Sequence, residues 1–500
     1  MFSLRQSLRG LCYHKLVSRH PSSGRRYLLT LAIESSCDDT SVAIVEKHGG
    51  LSSSSSSPSR SSLHFLENIT ADSRKYNGIH PIVALDSHQD HAAKLINKAL
   101  TYLPAAELTD PKDVGRIITL PPHATCGNGP LLRKKPDFIS VTRGPGMRSN
   151  LSVGLDTAKG LSVAWQVPIV GVHHMQAHLL TPRLAASLQQ QRDVEAGTEF
   201  INSPNFPFMS ILVSGGHTLL VHSKSIVDHE ILASTLDIAI GDALDKLARS
   251  LLPQSFLEQS NTTMYGKMLE AFAFPNGDRD YIDYQPPAAR AEEAMKVKDN
   301  RWGWSIPLPF AQTRKLEFSF AGIASRAQSI ISNKKDRWQA TGNAGEGFMS
   351  NDERMDVART FMTVCFEHLA SRTVIALQNI RQQQQQEQRK QRQDLTYKCQ
   401  TFEDVKHLVI SGGVGANMFL RKLFRSFLDI RGFQHVEVIA PPPYLCTDNA
   451  AMIGWAGIEM FEAGWHSDLR CRPLRKWSLD PRAEDGGILG PGDWIKIDSI

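Results

Sequence analysis

Two stretches decide the fold class: residues 208–222 read FMSILVSGGHTLLVH, and residues 407–417 read HLVISGGVGAN. Each opens with an apolar run whose length and β-branched content are typical of a buried strand, and each run ends in glycines. The first stretch continues into a second strand, so it predicts a hairpin around a glycine turn. The second leads into a helix predicted over residues 418–428. Hairpins and strand-to-helix units in one chain predict an α/β fold with mixed sheets.

The first half of the chain repeats this pattern. Residues 27–34 and 41–46 are two β-rich runs joined by SSCDDT, which predicts another hairpin. Residues 137–142 form a short apolar run that leads through RGPGM into a helix of small residues. Two sets of this kind, each with a glycine turn, predict two lobes that face a cleft.

Three loops at predicted strand ends are rich in glycine, at residues 143–147, 214–217 and 411–417. Glycine lets backbone N–H groups approach an anion closely, and the N-terminus of a following helix adds its positive dipole. No loop matches GxxxxGK[ST], and no GxGxxG follows a strand. A tight turn explains each loop alone, but three of them at the carboxyl ends of strands favour a nucleotide or phosphate cleft. Asn417 offers an amide to a ribose or a base edge.

Composition excludes several classes of protein. The 500 residues are 41% hydrophobic and 21% charged, which is close to the globular average and unlike a coiled coil or a disordered chain. No run approaches the roughly 18 apolar residues of a membrane span. The seven cysteines lie far apart with no CxxC pair, which argues against a disulfide framework and against a cysteine-based zinc site.

The amino terminus carries most of the basic character. Residues 1–26 contain six Lys and Arg residues and no acid, which is typical of a mitochondrial transit peptide, although an ordinary basic tail remains the alternative. These six charges more than account for the formal net charge of +5 of the whole chain. Net charge therefore gives no support for a polyanionic partner, and any binding of a polyanion must depend on a local basic patch.

The rest of the chain divides into two lobes with inserts. We expect a first lobe over residues 27–205 and a second over residues 206–447. A helix at 448–475 is expected to return to the first lobe, and 476–500 to form a tail. Three segments are too polar or too rich in Pro, Gly and Ser to bury a core, so they predict surface inserts: a Ser-rich one at about 49–62, a second at about 104–136 and a Gln-rich one at about 381–394.

A histidine pair is the first candidate for a metal site. His174 and His178 follow a predicted strand at i and i+4, a spacing that places both rings on one face of a helix. The pair is not an HExxH motif, because Met175 stands where the catalytic Glu would be. Two histidines are too few for a typical site, so a distant carboxylate or a third His must complete it. A structural pair on a helix face remains the alternative.

Several acidic residues could join such a site. Asp448 precedes a helix of small residues, where it is either a simple N-cap or a side chain that points into the cleft. Asp38 and Asp39 lie in the first hairpin turn, where turn preference already explains Asp. Asp242 and Asp245 lie three residues apart on a helix, and the sequence pattern does not decide which of them faces the cleft.

Eight motifs, in one order and at compatible spacing, resemble a known family: ESSCDDTSVAIV, TRGPGMRSNLSVGL, VHHMQAH, ILVSGGHTLL, GDALDKLAR, LEFSFAGI, VISGGVGANMFLR and CTDNAAMIGWAG. The family is that of the tRNA N6-adenosine threonylcarbamoyltransferases, bacterial TsaD and its mitochondrial relatives, once called O-sialoglycoprotein endopeptidases. The resemblance runs from about residue 27 to 474, interrupted by the inserts. It implies two RNase H-like lobes of the actin/hexokinase-like fold around a nucleotide cleft.

The resemblance also implies roles for individual residues. His174, His178 and Asp448 match the family's ligands for one divalent metal ion per subunit, either zinc or iron. The residues that match the family's substrate loop beside the metal are Leu212, Val213, Ser214, Gly215 and Gly216. The match of the nucleotide-binding positions covers Asp245, Gly266, Glu270 and Asn417. The sequence departs from the family at residues 263–266, which read Thr-Met-Tyr-Gly where relatives carry Pro-Gly-Gly. It departs again at Gln176-Ala177, where many bacterial relatives have Glu-Gly.

The implied reaction moves a threonylcarbamoyl group from threonylcarbamoyl-AMP to N6 of the adenosine 3′ of the anticodon, position 37, in mitochondrial tRNAs that read ANN codons. AMP leaves. A separate synthase supplies the donor, and the relatives imply a homodimer in the mitochondrial matrix. Asp38 and Asp39 are the candidates for a general base. The alternatives are a metalloprotease, a group-transferring kinase of the same superfold, and a nucleotide-binding scaffold without catalysis. The missing HExxH argues against the protease.

Overall fold

A computed structural model of the chain describes residues 27–49, 60–76, 78–107, 115–122, 130–196, 203–258, 264–295, 301–393 and 405–497. The predicted transit peptide at 1–26 lies outside the described residues. The strands, in chain order, are β1 (Tyr27–Glu34), β2 (Asp39–His48), β3 (Arg60–Thr70), β4 (Ile117–Leu120), β5 (Leu131–Lys134), β6 (Phe138–Gly144), β7 (Ile169–His173), β8 (Phe208–Val213), β9 (Thr218–Ser223), β10 (His229–Ser234), β11 (His407–Ser411), β12 (Glu437–Ile439), β13 (Trp465–Ser467) and β14 (Trp494–Lys496).

The described helices are, in chain order, α1 (Pro81–Leu100), α2 (Arg148–Trp165), α3 (His174–Ala196), α4 (Ile240–Leu251), α5 (Gln254–Glu258), α6 (Tyr265–Ala273), α7 (Arg290–Met295), α8 (Ala321–Ala340), α9 (Asn351–Gln393), α10 (Met418–Ile430), α11 (Pro443–Cys446) and α12 (Ala450–Glu462). None of these helices is long and apolar enough to cross a membrane.

The strands form two large sheets with one shared topology. The first sheet has the order β14-β13-β7-β6-β1-β2-β3, and the second has the order β10-β9-β8-β11-β12. In each sheet three antiparallel strands are followed by a strand parallel to the first of them, β6 beside β1 and β11 beside β8. The sheets centred on β1 and β8 are called the first and second lobes below. This repeated arrangement, with helices packed on both sheets, confirms the predicted fold class of two RNase H-like lobes.

Alternation along the strands explains how the first sheet is buried on both faces. Leu31 and Ile33 of β1 face the cluster that contains α1 and α2, whereas Ala32 between them faces the cluster that contains α12. The helix α12 can approach closely because it is built of small residues. A Cβ atom added at Gly457 would lie 2.1 Å from the hydroxyl of Ser140 on β6. The composition of α12 therefore decides where the residues before it, including Asp448, are placed.

The structure corrects several expectations about the inserts. Residues 60–62, expected to belong to the Ser-rich insert, form the start of β3. The strand β3 pairs with β2 along the whole length of β2, and residues 60–62 pair with residues 46–48. The expected loop at 104–136 contains the β4–β5 hairpin. The Gln-rich residues up to 393, expected to be a surface insert, continue the helix α9. The helix α3 extends to residue 196.

The carboxyl terminus is also more ordered than expected. Residues 476–497 were expected to form a tail, yet Trp477, Leu479 and Ile488 are buried in the core beneath α12. The strand β14 pairs with β13 at the edge of the first sheet. Burial of three large apolar side chains offsets the conformational entropy that a free tail would keep.

Candidate metal centre and substrate cleft

The candidate metal ligands meet where three elements end or begin. The strand β7 ends at His173, and α3 begins at once with His174, so His174 and His178 lie one turn apart on the same face of α3. Asp448 lies two residues before α12. Its Oδ1 atom is 3.0 Å from Nε2 of His178 and 3.5 Å from Nε2 of His174. One ligand atom from each residue falls within 4.8 Å of the others. We call these three residues the triad.

A buried carboxylate behind the triad orients the first ligand. Glu34, at the end of β1, has Oε2 3.4 Å from Nδ1 of His174, and the hydroxyl of Ser36 lies 3.2 Å from the same nitrogen. Glu34 also accepts the hydrogen bond of the Thr142 hydroxyl and that of the Ser36 backbone N–H. A proton on Nδ1 of His174 directs the lone pair of Nε2 towards Asp448, as in carboxylate–histidine–metal arrangements.

Charge coupling in the site is strong. Burial alone would lower the pKa of His174, but the carboxylates of Asp448 and Glu34 raise it to about 9. Burial alone would raise the pKa of Asp448, but the charge of His174 lowers it well below its usual range. Four carboxylates, those of Glu34, Asp38, Asp39 and Asp448, surround two imidazoles, and this surplus of negative charge favours a bound cation.

The donor set fits a divalent transition metal. Two imidazole nitrogens and one carboxylate oxygen, oriented from behind by Glu34, are the ligands that zinc and non-haem iron accept. Three protein ligands leave at least one coordination position open, which is typical of catalytic rather than structural sites. The residues present therefore fit the metal that the family resemblance implies.

The two acids of the first hairpin turn lie beside the triad. Asp39 begins β2, and its side chain accepts the hydrogen bond of the Thr70 hydroxyl. Burial, with the nearby charge of Asp448, raises the pKa of Asp39 to about 7, and burial also raises the pKa of Asp38. A carboxyl group that titrates near neutral pH suits a general base, so the structure leaves Asp39 as the better of the two candidates.

The predicted substrate loop belongs to the second lobe. Leu212 and Val213 are the buried end of β8, and Ser214, Gly215 and Gly216 form the turn to β9. No protein atom lies within 4 Å of the position of a Cβ atom on Gly215 or Gly216, and neither residue has a positive φ. Neither packing nor backbone conformation therefore requires glycine at these two positions. Close approach of a ligand to the backbone would require it.

The pKa of His217 gives an electrostatic link between this turn and the triad. Its ring is exposed at the cleft surface, yet the protein atoms around it and the charges of His174 and His178 lower its pKa to about 4. Burial is the larger cause of this shift, and the charges of the two rings contribute because they lie within electrostatic reach of His217. The glycine turn of the second lobe therefore faces the metal ligands of the first.

The four predicted nucleotide-binding residues continue from this turn in a line of contacts. The backbone N–H of Gly241, in the first turn of α4, donates to the carbonyl of Ser214. One turn later Asp245 accepts the N–H of Gly266 on α6 at 2.8 Å. Glu270, one turn along α6, accepts the N–H of Met418 at 2.7 Å. Asn417 caps α10, where its Oδ1 accepts the N–H of Leu420 at 2.9 Å. The structure thus brings all four residues to one wall of the cleft.

The sequence did not reveal every residue of the site. Glu34 and Ser36 stood in the quoted ESSCDD motif, but a single acid at the end of a strand carries no signal of its contact with His174. His217 directly follows Gly216, and the sequence predicts it only as part of the glycine turn. The parallel pairing of β1 with β6, which joins segments more than a hundred residues apart, and that of β6 with β7 bring Glu34 and Ser36 to His174.

Fold and site together define an enzyme of the actin/hexokinase-like class, with the candidate site between two RNase H-like lobes. The sequence profile of TsaD, tRNA N6-adenosine threonylcarbamoyltransferase, matches residues 131–455, more than half of the chain. The mitochondrial tRNA N6-adenosine threonylcarbamoyltransferase of Schizosaccharomyces pombe is 34% identical over 91% of this chain and 87% of its own length. The chain belongs to the TsaD family, and its predicted family and transferase class are confirmed.

A bacterial relative carries the same activity in its name. The tRNA N6-adenosine threonylcarbamoyltransferase of Zymomonas mobilis is 28% identical over 91% of this chain and 93% of its own. Among solved structures, YeaZ from Pseudomonas aeruginosa covers 41% of this chain and 68% of its own at 13% identity, with a TM-score of 0.19. A TM-score this low carries no argument about the site.

Proposed function

We propose that the protein transfers a threonylcarbamoyl group from threonylcarbamoyl-AMP to N6 of the adenosine at position 37, 3′ of the anticodon, in mitochondrial tRNAs that read ANN codons, with release of AMP. The observation that carries this proposal is the line of contacts from the Ser214–Gly216 turn to Asp245, Glu270 and Asn417, together with the electrostatic effect of the triad on His217 in the same turn. A donor that joins an acyl group to a nucleotide needs a site with these two ends at a fixed separation.

The nucleotide part of the donor would lie on the wall formed by α4, α6 and α10. Asp245 and Glu270 each use one carboxylate oxygen on a backbone N–H, at Gly266 and Met418, and so each is held in place. Their remaining acceptor capacity suits ribose hydroxyl groups. Gly266 allows this arrangement without a Pro-Gly-Gly sequence, because its own N–H already fixes Asp245.

The acyl part would lie between the glycine turn and the triad. Backbone N–H groups of Gly215 and Gly216 can donate to the phosphate or to the acyl oxygen, where negative charge develops in the transition state. A divalent ion, zinc or iron, held by His174, His178 and Asp448 would supply Lewis-acid polarisation at this end. Asp39 would accept the proton of the attacking amine, since its pKa of about 7 permits this near neutral pH.

Orientation carries much of the catalysis in this proposal. The exocyclic amine of adenine is a weak nucleophile, and holding it against an activated carbonyl can lower the barrier by about 7–11 kcal/mol. His174 directly follows the end of β7 and the glycine turn directly follows the end of β8, so both are held by buried strands, which suits this demand.

Localisation, donor supply and assembly are proposed with the same function. The S. pombe relative is named as a mitochondrial protein, and residues 1–26 have the composition of a transit peptide, so we place the enzyme in the mitochondrial matrix. A separate synthase would deliver threonylcarbamoyl-AMP, and the family resemblance suggests a homodimer.

Two alternatives receive less support. A metalloprotease of the HExxH type needs a Glu directly after its first His ligand, and Met175 stands there. A nucleotide-binding scaffold would not need the triad or the carboxylate that orients it. A kinase of the same superfold would share the glycine turns but not the histidine pair.

The direct test supplies the purified protein with threonylcarbamoyl-AMP and an unmodified mitochondrial tRNA that reads an ANN codon. Mass spectrometry of the digested tRNA should detect threonylcarbamoyladenosine at position 37, and AMP should appear in equal amount. A tRNA with guanosine at position 37 is the matched control. Absence of the modified nucleoside with a metal-loaded wild-type enzyme would refute the proposal.

A further inference from the structure

A basic loop lies against the active-site side of the first lobe. Residues 472–476 read RPLRK, and we call them the basic segment. Between Asp468 and Asp480 the chain carries four cations and no acid. Arg470 pairs with Asp468. The side chains of Arg472, Arg475 and Lys476 are exposed, and none has an ion-pair or hydrogen-bond partner among the residues that the structure describes.

The backbone of this loop is held tightly although its charged side chains are not. The N–H of Leu474 donates to the carbonyl of Arg143 at 2.9 Å, and Nε of Arg143 donates to the carbonyl of Arg472 at 3.0 Å. The ammonium group of Lys159 donates to the carbonyl of Cys471, and the ring of His173 contacts the carbonyl of Trp477 at 3.1 Å. The loop is therefore fixed on both sides of its cations. Because the backbone is already fixed, binding of an anion orders only the side chains and not the loop.

Two routes of contact join the basic segment to the triad. Trp477, directly after the segment, lies with its ring centroid 4.6 Å from that of His173, the residue before His174. On the other side, Leu474 packs on Gly144, where an added Cβ atom would meet the Leu474 carbonyl at 2.2 Å. The loop that contains Gly144 also contains Gly146, which packs on Ser36. The Ser36 hydroxyl lies beside His174.

A further cation extends the segment towards the cleft. Arg148 is the first residue of α2 and directly follows Met147, whose N–H donates to the carbonyl of Ser36. Its side chain is exposed and also lacks a partner among the described residues. Arg148, Arg472, Arg475 and Lys476 thus form a set of unpaired cations around the RGPGM loop, on the side where β6 and β7 end.

From this geometry we infer that Arg148 and the basic segment bind backbone phosphates of the RNA whose adenosine enters the cleft. The inference rests on the proposed function for the choice of RNA as the partner. Nucleic acid duplexes are densely charged, with about one phosphate charge per 1.7 Å of axis in B-DNA, so an RNA stem beside the reacting base offers several phosphates to a fixed row of cations. The chain without residues 1–26 has no excess of positive charge, so a local row of this kind is what binding requires.

The test measures binding of unmodified tRNA to the metal-loaded protein over a range of salt concentrations, without donor. The double variant Arg475→Gln with Lys476→Gln should bind about tenfold more weakly per cation lost at 0.1 M salt. The slope of log K against log salt should fall in magnitude by about 1 per cation. The matched control is Lys335→Gln with Arg337→Gln, two exposed and unpaired cations on α8 of the second lobe, which should change neither quantity.

Turnover separates this inference from the proposed function. With donor present, the Arg475 and Lys476 variant should raise KM for tRNA while kcat and the metal content stay at the wild-type values. If this variant keeps wild-type affinity and slope while the wild type modifies tRNA, the basic segment is not the binding surface and the proposed function stands. If the variant shows the predicted loss of affinity and of slope relative to the wild type but the wild type transfers nothing, the binding surface is supported and the proposed function is wrong.

Discussion

The two lobes share one strand order but differ in the hairpin turn that faces the cleft. In the first lobe the turn between β1 and β2 follows Glu34 and contains Ser36 and Asp38. In the second lobe the turn between β8 and β9 contains two glycines. In both lobes the loop after the parallel strand, β6 or β11, contains a glycine that packs on the hairpin turn or on the strand before it. Gly146 packs on Ser36, and Gly412 packs on Val213.

This difference shows how one backbone arrangement can serve two kinds of chemistry. The first lobe supplies side chains, since its turn provides a carboxylate that orients His174 and acids beside Asp448. The second lobe supplies bare backbone, since Gly215 and Gly216 leave open space where side chains would be. If this division is correct, changes in the first lobe should affect metal binding, and changes in the second should affect binding of the donor.

The largest effect should come from the triad. Asp448→Ala removes one of three protein ligands and leaves two histidines that face each other without a carboxylate. We expect transfer activity to fall by roughly 10³-fold or more, beyond the 10–100-fold that changes behind the ligands cost. Metal analysis should show a corresponding loss of bound metal, while the affinity for adenosine is retained. Full activity in a variant without metal would contradict the assignment of the triad.

The second effect tests the glycine turn by adding one methyl group. Gly215→Ala meets no protein atom within 4 Å and needs no unusual φ, so the melting temperature should not change. The methyl group would occupy the space of the ligand, and a displacement of about 1 Å at a reacting group can cost 10²-fold in rate. Steady-state kinetics with threonylcarbamoyl-AMP measures this loss, and metal content should stay constant.

Two other glycines provide matched controls for this experiment. Gly160→Ala on α2 also meets open space but lies away from the cleft turn, so activity should be unchanged. Gly412→Ala should instead prevent correct folding, because Gly412 has φ +88 and a Cβ atom there would lie 2.4 Å from the Val213 carbonyl. Equal activity of the Gly215 and Gly160 variants would show that no ligand approaches the turn.

How far the sequence predicts this molecule differs between the lobes. The helix α10 was predicted within two residues of its observed bounds, and β11 lies in the apolar run that opens the 407–417 stretch, because both signals are strong and local. The strand β3 and the carboxyl-terminal strands were missed. β3 directly follows a Ser-rich run, and β13 and β14 are three residues long and depend on partners far away in the chain.

In the site, too, residues with a local sequence signal could be predicted and residues placed by distant segments could not. His174 and His178 carry a spacing signal, and Gly215 and Gly216 carry a composition signal, so both sets could be proposed before the structure. Glu34 has neither. Its role exists only because β1 lies beside β6, which places Thr142, Ser36 and His174 around one buried carboxylate.

The third effect tests Glu34 directly. Glu34→Gln keeps an oxygen for the Ser36 N–H but removes the charge that holds the proton on Nδ1 of His174. Metal affinity should fall by about 10–100-fold, as for other partners behind metal-bound histidines. Competition with a chelator measures this affinity. The matched control is Asp137→Asn, a carboxylate that accepts the Leu29 N–H at the opposite end of the same strands, which should leave metal affinity unchanged.

The smallest effect concerns the nucleotide wall of the second lobe and depends on pH. Burial raises the pKa of Asp245 to about 6, so its carboxyl group is largely protonated at pH 5 and largely ionised at pH 7. An ionised carboxylate accepts ribose hydroxyl groups better, so adenosine should bind more tightly as the pH rises through 6. Adenosine itself does not titrate in this range, unlike AMP. Asp245→Asn should flatten this dependence and cost about fivefold at pH 7, the value of about 1 kcal/mol for one hydrogen bond. Asp242→Asn, one turn earlier on the same helix and paired with Lys246, should keep the pH dependence but move it slightly to lower pH, because the charge of Asp242 also raises the pKa of Asp245. An unchanged profile in the Asp245 variant would place the ribose elsewhere and remove the nucleotide from the second lobe.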